Sequence, residues 1–250
     1  FHKVWPLTTQ RTGSFDQSLK HHIAIQHGIV GQSLFPTPIM VAQLDLDDTQ
    51  IKQLIQQDVV DLFHRWRTHD PTGRLLSNAG GGWQSQADLF ASFGRMGDVP
   101  TSEIDVAVKL HSVLRAVIYS AIADESSPLA RELWKFLSRG GKPLGVDIDD
   151  VIIQDAWANI NSANQYNTKH GHGHLLAAVL YVSNTTGCEE DQDGGWLEFY
   201  DPRLQASTSR NDWWGHYGGF RIKPRDGMIV IFPGCVYRYT ACHICCKILT

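Results

Sequence analysis

Three histidines stand at alternate positions in one short segment, His170, His172 and His174, with a glycine between neighbours. In an extended strand, residues two apart point to the same face, so this spacing predicts a row of imidazoles along one side. Glycine leaves the opposite face bare and permits close backbone approach. Neutral imidazole is the commonest side-chain metal ligand. The segment therefore predicts metal binding; the alternative is a polar, glycine-rich strand end with solvated histidines.

A histidine pair on one strand needs at least one further ligand from elsewhere in the chain. Two histidines and one carboxylate, with open coordination positions, are typical of non-haem Fe(II) oxygenases. Zinc is the rival metal because imidazole suits both ions. The end of the chain adds soft ligands at Cys242, Cys245 and Cys246. No second spaced cysteine pair accompanies them, which argues against a closed cysteine-rich site.

Helices must support the strand that carries these ligands. Residues 34–41 predict a first edge strand, and a helix follows with Asp47 as N-cap and Gln50 in the capping-box position. Apolar residues recur at helical spacing through Trp66. Further helices are predicted after Pro100 and over residues 128–138. The glycine-rich segment around Trp83 is interpreted as a loop that serves as a lid or a connection.

From Val146 onward the apolar period changes from about 3.6 to 2, as expected for strands. Short strand candidates separated by turn residues cover 151–153, 156–158, 175–182, 196–200, 220–222, 228–232 and 236–240. Many short strands with such turns indicate an antiparallel sandwich or jelly roll. We expect the helices to pack on the outside of this sheet as part of one domain.

Composition excludes several classes of function. Hydrophobic residues make up 42% of the 250 residues and charged residues 19%, which is typical of a globular protein. The net charge of −4 predicts no nucleic-acid partner, and no apolar run approaches a membrane span. Five cysteines are not a secreted disulfide framework, so a reducing, cytoplasmic location is expected. The acid-poor N-terminal region, with only Asp16 before residue 41, could alternatively be an organelle-targeting remnant.

Six segments, in order, resemble the 2-oxoglutarate/Fe(II)-dependent oxygenases known mostly from marine bacteria and their phages, a family built on the double-stranded β-helix. They are LFPTP (34–38), GGWQS (81–85), AWAN (156–159), N-x-x-H-x-H followed by VLYV (167–172 and 179–182), GWLEFYDPR (195–203) and PRDGMIVIFP (224–233). Each segment alone is modestly specific, but their order is specific. The resemblance implies an antiparallel double-stranded β-helix and Fe(II)-dependent hydroxylation.

The resemblance implies that His170 and His172 bind Fe(II). Family members carry a distal histidine shortly after the Phe-Pro pair, where this chain has Arg238. Arginine stays protonated and cannot ligate a metal. His243 is the nearest substitute and the predicted third ligand, although it lies an odd number of residues beyond Arg238, so a regular strand would need a bulge. Glu198 remains an alternative carboxylate; Asp201, before Pro202, is interpreted as a turn residue.

The resemblance also implies a site for 2-oxoglutarate. The family strand that follows begins with an arginine that binds the distal carboxylate, and here Lys247 occupies roughly that place. Lys247 supplies positive charge without the bidentate fork of arginine, and Arg238 is a second candidate. Tyr181 and Asn159 are expected to hydrogen-bond the cosubstrate from the cavity wall.

The sequence therefore predicts an α+β protein with a jelly-roll, cupin-like core. Residues 1–33 are predicted to be an irregular arm and 34–250 one oxygenase-like domain, with helical support over about 45–140 and a β-helix core over about 146–250. The predicted function is an Fe(II)- and 2-oxoglutarate-dependent oxygenase acting on a small molecule or peptide. The alternatives are a lapsed oxygenase fold retained as a binding module, for which Arg238 argues, and a zinc-binding protein. The sequence indicates neither the substrate nor the oligomeric state.

Overall fold

The computed structural model describes residues 3–5, 29–34, 37–76, 78–79, 81–87, 89–90, 100–124, 126–137, 146–162, 165–183, 196–200, 219–234, 238–242 and 245–249. In these ranges the chain combines helices with antiparallel strands, as the sequence predicts. The helical elements are α1 (Thr49–Gln53), a π-helical turn (Leu54–Asp58), α2 (Val59–His69), α3 (Thr101–Ala123), α4 (Pro128–Leu137) and a 3₁₀ helix (Ile148–Asp150).

The first helix begins one residue later than the sequence suggests. Asp48, not Asp47, is the N-cap: its carboxylate accepts the backbone N–H groups of Gln50 at 2.8 Å and Ile51 at 3.1 Å. These are among the orphan donors of a first helical turn, which explains the choice of cap. The helix then runs through the π-helical turn into α2, and it buries its apolar stripe, which includes Leu62 and Phe63.

Helix α3 is long and apolar enough, by length and composition alone, to cross a membrane. The sequence expectation that no segment approaches this length is therefore wrong. Its apolar side, including Leu110, Val113 and Val117, is fully buried against the other helices and the sheet. That packing is the ordinary environment of a core helix.

Thirteen strands lie in the described ranges: β1 (Lys3–Trp5), β2 (Ile29–Leu34), β3 (Thr37–Gln43), β4 (Asn78–Ala79), β5 (Trp83–Gln84), β6 (Trp157–Asn161), β7 (Gln165–His170), β8 (Leu176–Ser183), β9 (Leu197–Tyr200), β10 (Gly219–Ile222), β11 (Met228–Pro233), β12 (Arg238–Cys242) and β13 (Cys245–Leu249). They form an eight-stranded sheet in the order β1-β2-β3-β11-β8-β13-β6-β5 and a five-stranded sheet in the order β10-β9-β12-β7-β4. Each of their pairings is antiparallel.

Strand β8 of the larger sheet is buried on both faces. Along β8, Ala178, Leu180 and Val182 pack with the helices, whereas Val179 and Tyr181 belong to a second apolar cluster with residues of the smaller sheet. Alternate side chains of a strand point to opposite faces. This double burial explains why β8 has a nearly continuous apolar sequence. The second cluster defines the interior between the two sheets.

Several expectations about individual strands and loops are wrong. The predicted edge strand becomes β3, which lies between β2 and β11, so it is internal. Lys3–Trp5 and Ile29–Leu34 are strands rather than parts of an irregular arm. Residues 151–153 form no strand. The Trp83 segment is also no lid, because Trp83 is buried in β5 and its indole N–H donates to the Asp70 carbonyl at 2.7 Å.

Candidate functional site

The histidine segment is only partly a strand. β7 ends at His170, and residues 171–175 form a turn, so the predicted row of three histidines along one strand is wrong. The turn nevertheless keeps two imidazoles together: the ring centroids of His170 and His172 lie 5.2 Å apart with planes at 72°. The two side chains that the sequence singled out thus lie next to one another, but on a backbone that is not one continuous strand.

A β-bulge turns His170 toward the interior. Thr240 of β12 pairs with Asn167, whereas Arg238, two residues earlier, pairs with His170, three residues later. The extra residue on β7 changes the alternation of faces, as a bulge does. Asn167 is fully buried, and the His170 ring contacts His172, which itself lies against interior aromatic rings. A regular strand would have placed Asn167 and His170 on opposite faces.

The tautomer of His170 follows from its hydrogen bond. Its Nδ1 lies 2.6 Å from the backbone carbonyl oxygen of Thr168. A carbonyl oxygen only accepts, so Nδ1 carries the hydrogen and, in the neutral ring, Nε2 carries the lone pair. That Nε2 atom is buried. Metal-binding histidines commonly have this arrangement, because the second hydrogen bond fixes ring orientation and raises ligand basicity.

The backbone just after β11 holds the backbone of His172 in place. Its N–H donates to the carbonyl of Gly234 at 2.8 Å, just beyond β11. Its ring centroid lies 5.6 Å from that of Trp157 and 6.4 Å from that of Phe232. A Cβ added to Gly234 would meet the carbonyl oxygen of His174 at 2.1 Å. Gly234 therefore permits the close approach that places His172 beside His170.

The two imidazoles have the spacing that one shared metal requires. Metal–nitrogen bonds of about 2.1 Å put the centroids of two ligating rings about 5 Å apart, which matches His170 and His172. Among the described residues, no group of three histidine, cysteine, aspartate or glutamate side chains could hold a metal. The predicted third ligand, His243, lies outside the described residues. The part of the site that is described thus fits two ligands of a metal.

Glu198, which the sequence offered as an alternative carboxylate ligand, points away from this pair. Glu198 lies between Leu197 and Phe199, both buried in the interior cluster, so its own side chain points to the other face of β9. There it accepts a hydrogen bond from Arg221 at 3.2 Å. Asp201 lies outside the described residues.

The third histidine has a different partner. The Nε2 atom of His174 lies 2.7 Å from the carboxylate of Asp155, a residue that shortly precedes β6. This contact gives the His174 ring a carboxylate partner outside the pair of His170 and His172. It also ties the turn after β7 to the start of β6.

Three of the four predicted cosubstrate residues lie in one row of the larger sheet, whereas the fourth, Arg238, lies in the smaller sheet. Lys247 of β13 pairs with Asn159 of β6 on one side and with Tyr181 of β8 on the other. Gln84 of β5 extends the row because it pairs with Asn159. Directly paired residues of antiparallel strands share a face. Asn159, Tyr181 and Gln84 are all fully buried, and Tyr181 belongs to the interior cluster.

Sequence reasoning missed a chain of buried amides beside this row. The Asn161 Nδ2 donates to the Asn167 Oδ1 at 3.0 Å, and the Asn167 Nδ2 donates to the Asn159 Oδ1 at 3.3 Å. All three side chains have no exposed surface. Asn159 and Asn161 occupy alternate positions of a strand that is otherwise apolar, and this spacing was the signal available in the sequence.

Arg74 approaches the site from the loop after α2. Its guanidinium carbon lies 5.3 Å from the centroid of the Trp157 ring, while its Nε donates to the Ser85 carbonyl at 3.0 Å and its backbone N–H to the Gln84 carbonyl at 2.7 Å. These contacts fix a cation against the indole that contacts His172. Gly73 allows the approach, since a Cβ there would meet the Gln84 carbonyl at 2.3 Å.

Comparison with known proteins finds a match over the part of the chain that carries His170 and His172. Residues 155–242 match the model of a family described as "Putative 2OG-Fe(II) oxygenase". The match spans β6 to β12 and includes both histidines, and it confirms the resemblance found in the sequence. No curated protein matches the chain.

Among solved structures, the chain resembles a prolyl-4-hydroxylase from Pseudomonas putida, with 13% identity, a TM-score of 0.42 and coverage of 90% of this chain and 91% of that one. It also resembles a prolyl hydroxylase from Trichoplax adhaerens solved with a hypoxia inducible factor peptide fragment, with 10% identity, a TM-score of 0.47 and coverage of 84% and 81%. At these values the likeness informs neither the activity nor the substrate of the present chain.

Proposed function

We propose that this chain, whose residues 155–242 match the model of a family described as "Putative 2OG-Fe(II) oxygenase", is an Fe(II)- and 2-oxoglutarate-dependent oxygenase. The observation that carries the proposal is the pair His170 and His172, with rings 5.2 Å apart and the His170 tautomer set by the Thr168 carbonyl. We interpret the two facing antiparallel sheets as the double-stranded β-helix of that family, with the pair at one end of their shared interior.

In this proposal His170 and His172 are two iron ligands and His243 is the third. Fe(II) bound with 2-oxoglutarate would supply dioxygen chemistry, in which one oxygen atom oxidises the substrate and the other enters the cosubstrate, which becomes succinate and CO₂. The protein's own contribution at this end of the interior is orientation. The Thr168 carbonyl holds the first ring, and the Gly234 carbonyl holds the backbone of the second.

The row of Tyr181, Lys247 and Asn159 is the proposed binding site for the distal carboxylate of 2-oxoglutarate. The ammonium of Lys247 would neutralise its charge, and the Tyr181 hydroxyl and the Asn159 amide would donate hydrogen bonds. The ladder separates Arg238 from this row and puts it opposite His170. We therefore assign the carboxylate to Lys247 rather than to Arg238.

The residues around the histidine pair would exclude water from the reaction. Trp157, Phe199 and Phe232 are buried, and the rings of Phe199 and Phe232 meet at 4.9 Å, edge to face. Electrostatic interactions and hydrogen bonds are stronger in such an interior than in water. Trp157 and Phe232 of this apolar wall lie against the half-buried His172 ring.

An anaerobic titration tests the proposal. Purified protein is loaded with Fe(II) and then titrated with 2-oxoglutarate, and we expect the weak visible charge-transfer band of the chelated 2-oxo acid. Glutarate, which lacks the 2-oxo group, is the matched control and should give no band. Admission of oxygen should then produce succinate even without substrate.

Other outcomes would replace the proposal. Iron uptake without the band and without succinate would show a lapsed oxygenase fold retained for binding. Zinc that survives chelation, and is lost when Cys242 and Cys245 are both replaced by serine, would show a zinc-binding protein.

A further inference from the structure

Asn167 links the strand that carries an iron ligand to the strand that carries a cosubstrate residue. β6 and β7 follow one another in the chain but belong to different sheets. The Asn167 side chain crosses between them, accepting from the Asn161 Nδ2 at 3.0 Å and donating to the Asn159 Oδ1 at 3.3 Å. Three residues further on, across the bulge, lies His170.

The three amides form a relay with a direction. Because each interior bond uses the N–H₂ of one amide and the oxygen of the next, one end of the relay keeps an N–H₂ group and the other keeps an oxygen. The Asn159 Nδ2 and the Asn161 Oδ1 are these ends, and neither has a hydrogen-bond partner among the described residues. A buried donor without a partner is costly, so the Asn159 end is suited to a ligand.

The three amides could also form the same chain of hydrogen bonds with donors and acceptors exchanged. If all three amides were rotated, the interior bonds would survive, but Asn159 would present its oxygen and Asn161 its N–H₂. A carboxylate only accepts hydrogen bonds, so it favours the sense in which Asn159 presents N–H₂. Asn167 is the amide that bonds Asn159 directly, so the orientation of the Asn167 amide sets that of the Asn159 amide.

We propose that Asn167 is a positioning residue for the cosubstrate, an inference that rests on the proposed function. Its N–H₂ holds the oxygen of Asn159, so that the N–H₂ of Asn159 faces the distal carboxylate of 2-oxoglutarate in the row of Lys247 and Tyr181. Asn167 touches neither the metal nor the cosubstrate; it acts through Asn159.

A purely structural role for Asn167 makes a different prediction. If Asn167 only held β6 and β7 together, its loss would disturb His170 and metal binding as much as cosubstrate binding. Asn161 provides the matched control. Replacing Asn161 by leucine removes the other hydrogen bond of the relay but keeps the bond between Asn167 and Asn159.

The experiment measures Kd for 2-oxoglutarate by titration calorimetry on Mn²⁺-loaded protein, in which no turnover occurs. Asn167→Leu should weaken binding about tenfold, the loss of roughly one charge-assisted hydrogen bond. Asn161→Leu should stay within about twofold, and Mn²⁺ affinity should stay within about twofold in both variants. In an Asn159→Ala background, Asn167→Leu should have no further effect.

Two results would overturn the inference while leaving the proposed function intact. One is an equal loss of 2-oxoglutarate affinity from Asn167→Leu with or without Asn159; the other is a parallel loss of Mn²⁺ affinity. Failure of the unmodified protein to bind 2-oxoglutarate would instead refute the proposed function, and this inference with it.

A second variant covers the case in which Asn167→Leu does not fold. Asn167→Asp keeps the shape and the acceptor for Asn161 but removes the donor to Asn159, so the Asn159 amide should rotate. Comparison of Asn167→Asp with and without Asn159→Ala separates this rotation from the added charge. A loss of affinity that is the same in both backgrounds would overturn the inference.

Discussion

Arg238 stands directly opposite His170 in the ladder between β12 and β7, at the register shift that turns His170 inward. The position that the family resemblance assigns to a distal histidine is therefore adjacent, across one strand pair, to His170, the first proposed iron ligand. An arginine there can neither ligate a metal nor lose its charge. Metal binding thus depends on whether another residue, which we propose to be His243, supplies the third ligand.

Replacing Arg238 by histidine should strengthen iron binding. The change removes a permanent cation and supplies an imidazole opposite His170. We expect Fe(II) affinity, measured by anaerobic competition with a chelator, to rise about tenfold or more, the value of one added favourable interaction.

Arg238→Gln is the control for charge, because it removes the cation without adding a ligand. If Arg238→His bound iron no more tightly than Arg238→Gln, the position would not face the metal site. That result would also remove the structural argument for a displaced third ligand.

Gly234 should tolerate no side chain. A Cβ there would meet the His174 carbonyl oxygen at 2.1 Å and the His172 carbonyl oxygen at 3.2 Å. Gly234→Ala must push residues 172–174 away from β11, so we expect loss of metal binding and a decrease of about 1–3 kcal/mol in the free energy of unfolding. Denaturant unfolding and metal stoichiometry measure the two effects.

Gly173 provides the matched control in the same turn. A Cβ at Gly173 would meet nothing within 4 Å, so Gly173→Ala should retain both stability and metal binding. Equal behaviour of the two alanine variants would contradict the close packing of this turn on Gly234.

Stability should depend on pH through His111 of α3. Burial, and secondarily the positive charge of Arg115, lower the pKa of His111 from its ordinary value of 6.5. Between the lowered pKa and 6.5, the unfolded chain binds more protons at His111 than the folded chain does. The stabilisation that comes from keeping the His111 ring neutral is therefore complete above about pH 6.5 and is lost as the pH falls. Its ring also packs edge-on against Phe90 at 4.9 Å.

Urea unfolding at several pH values tests this contribution. The free energy of unfolding of the unmodified protein should decrease more steeply below pH 6.5 than that of His111→Gln. Parallel curves for the two proteins would show that His111 titrates normally in the fold.

The sequence predicted the helices and most strands because their apolar periods reflect burial. The stripes of α1 to α3 and the continuous apolar run of β11 are local patterns that tertiary packing preserves. Edge and interior positions were less predictable. Whether β3 is internal depends on pairing with β2 and β11, which no local pattern encodes.

The candidate site was predictable as residue types but not as geometry. The His170 and His172 rings lie together because of a bulge on β7 and a turn held by Gly234. The spacing of the two residues in the sequence predicts neither feature. Likewise, Lys247, Asn159 and Tyr181 share a row only because β13 lies between β6 and β8. The amide relay through Asn167 depends on contacts between different sheets, which a one-dimensional pattern does not show.

The stoichiometry of iron in histidine variants tests the central claim most directly. Iron per chain is measured after anaerobic loading and desalting for His170→Ala, His172→Ala and His174→Ala, with folding checked by circular dichroism. Our account predicts about one iron in the unmodified protein and in His174→Ala, whose ring pairs with Asp155, and almost none in the other two. Undiminished iron in folded His170→Ala or His172→Ala would contradict the assigned site.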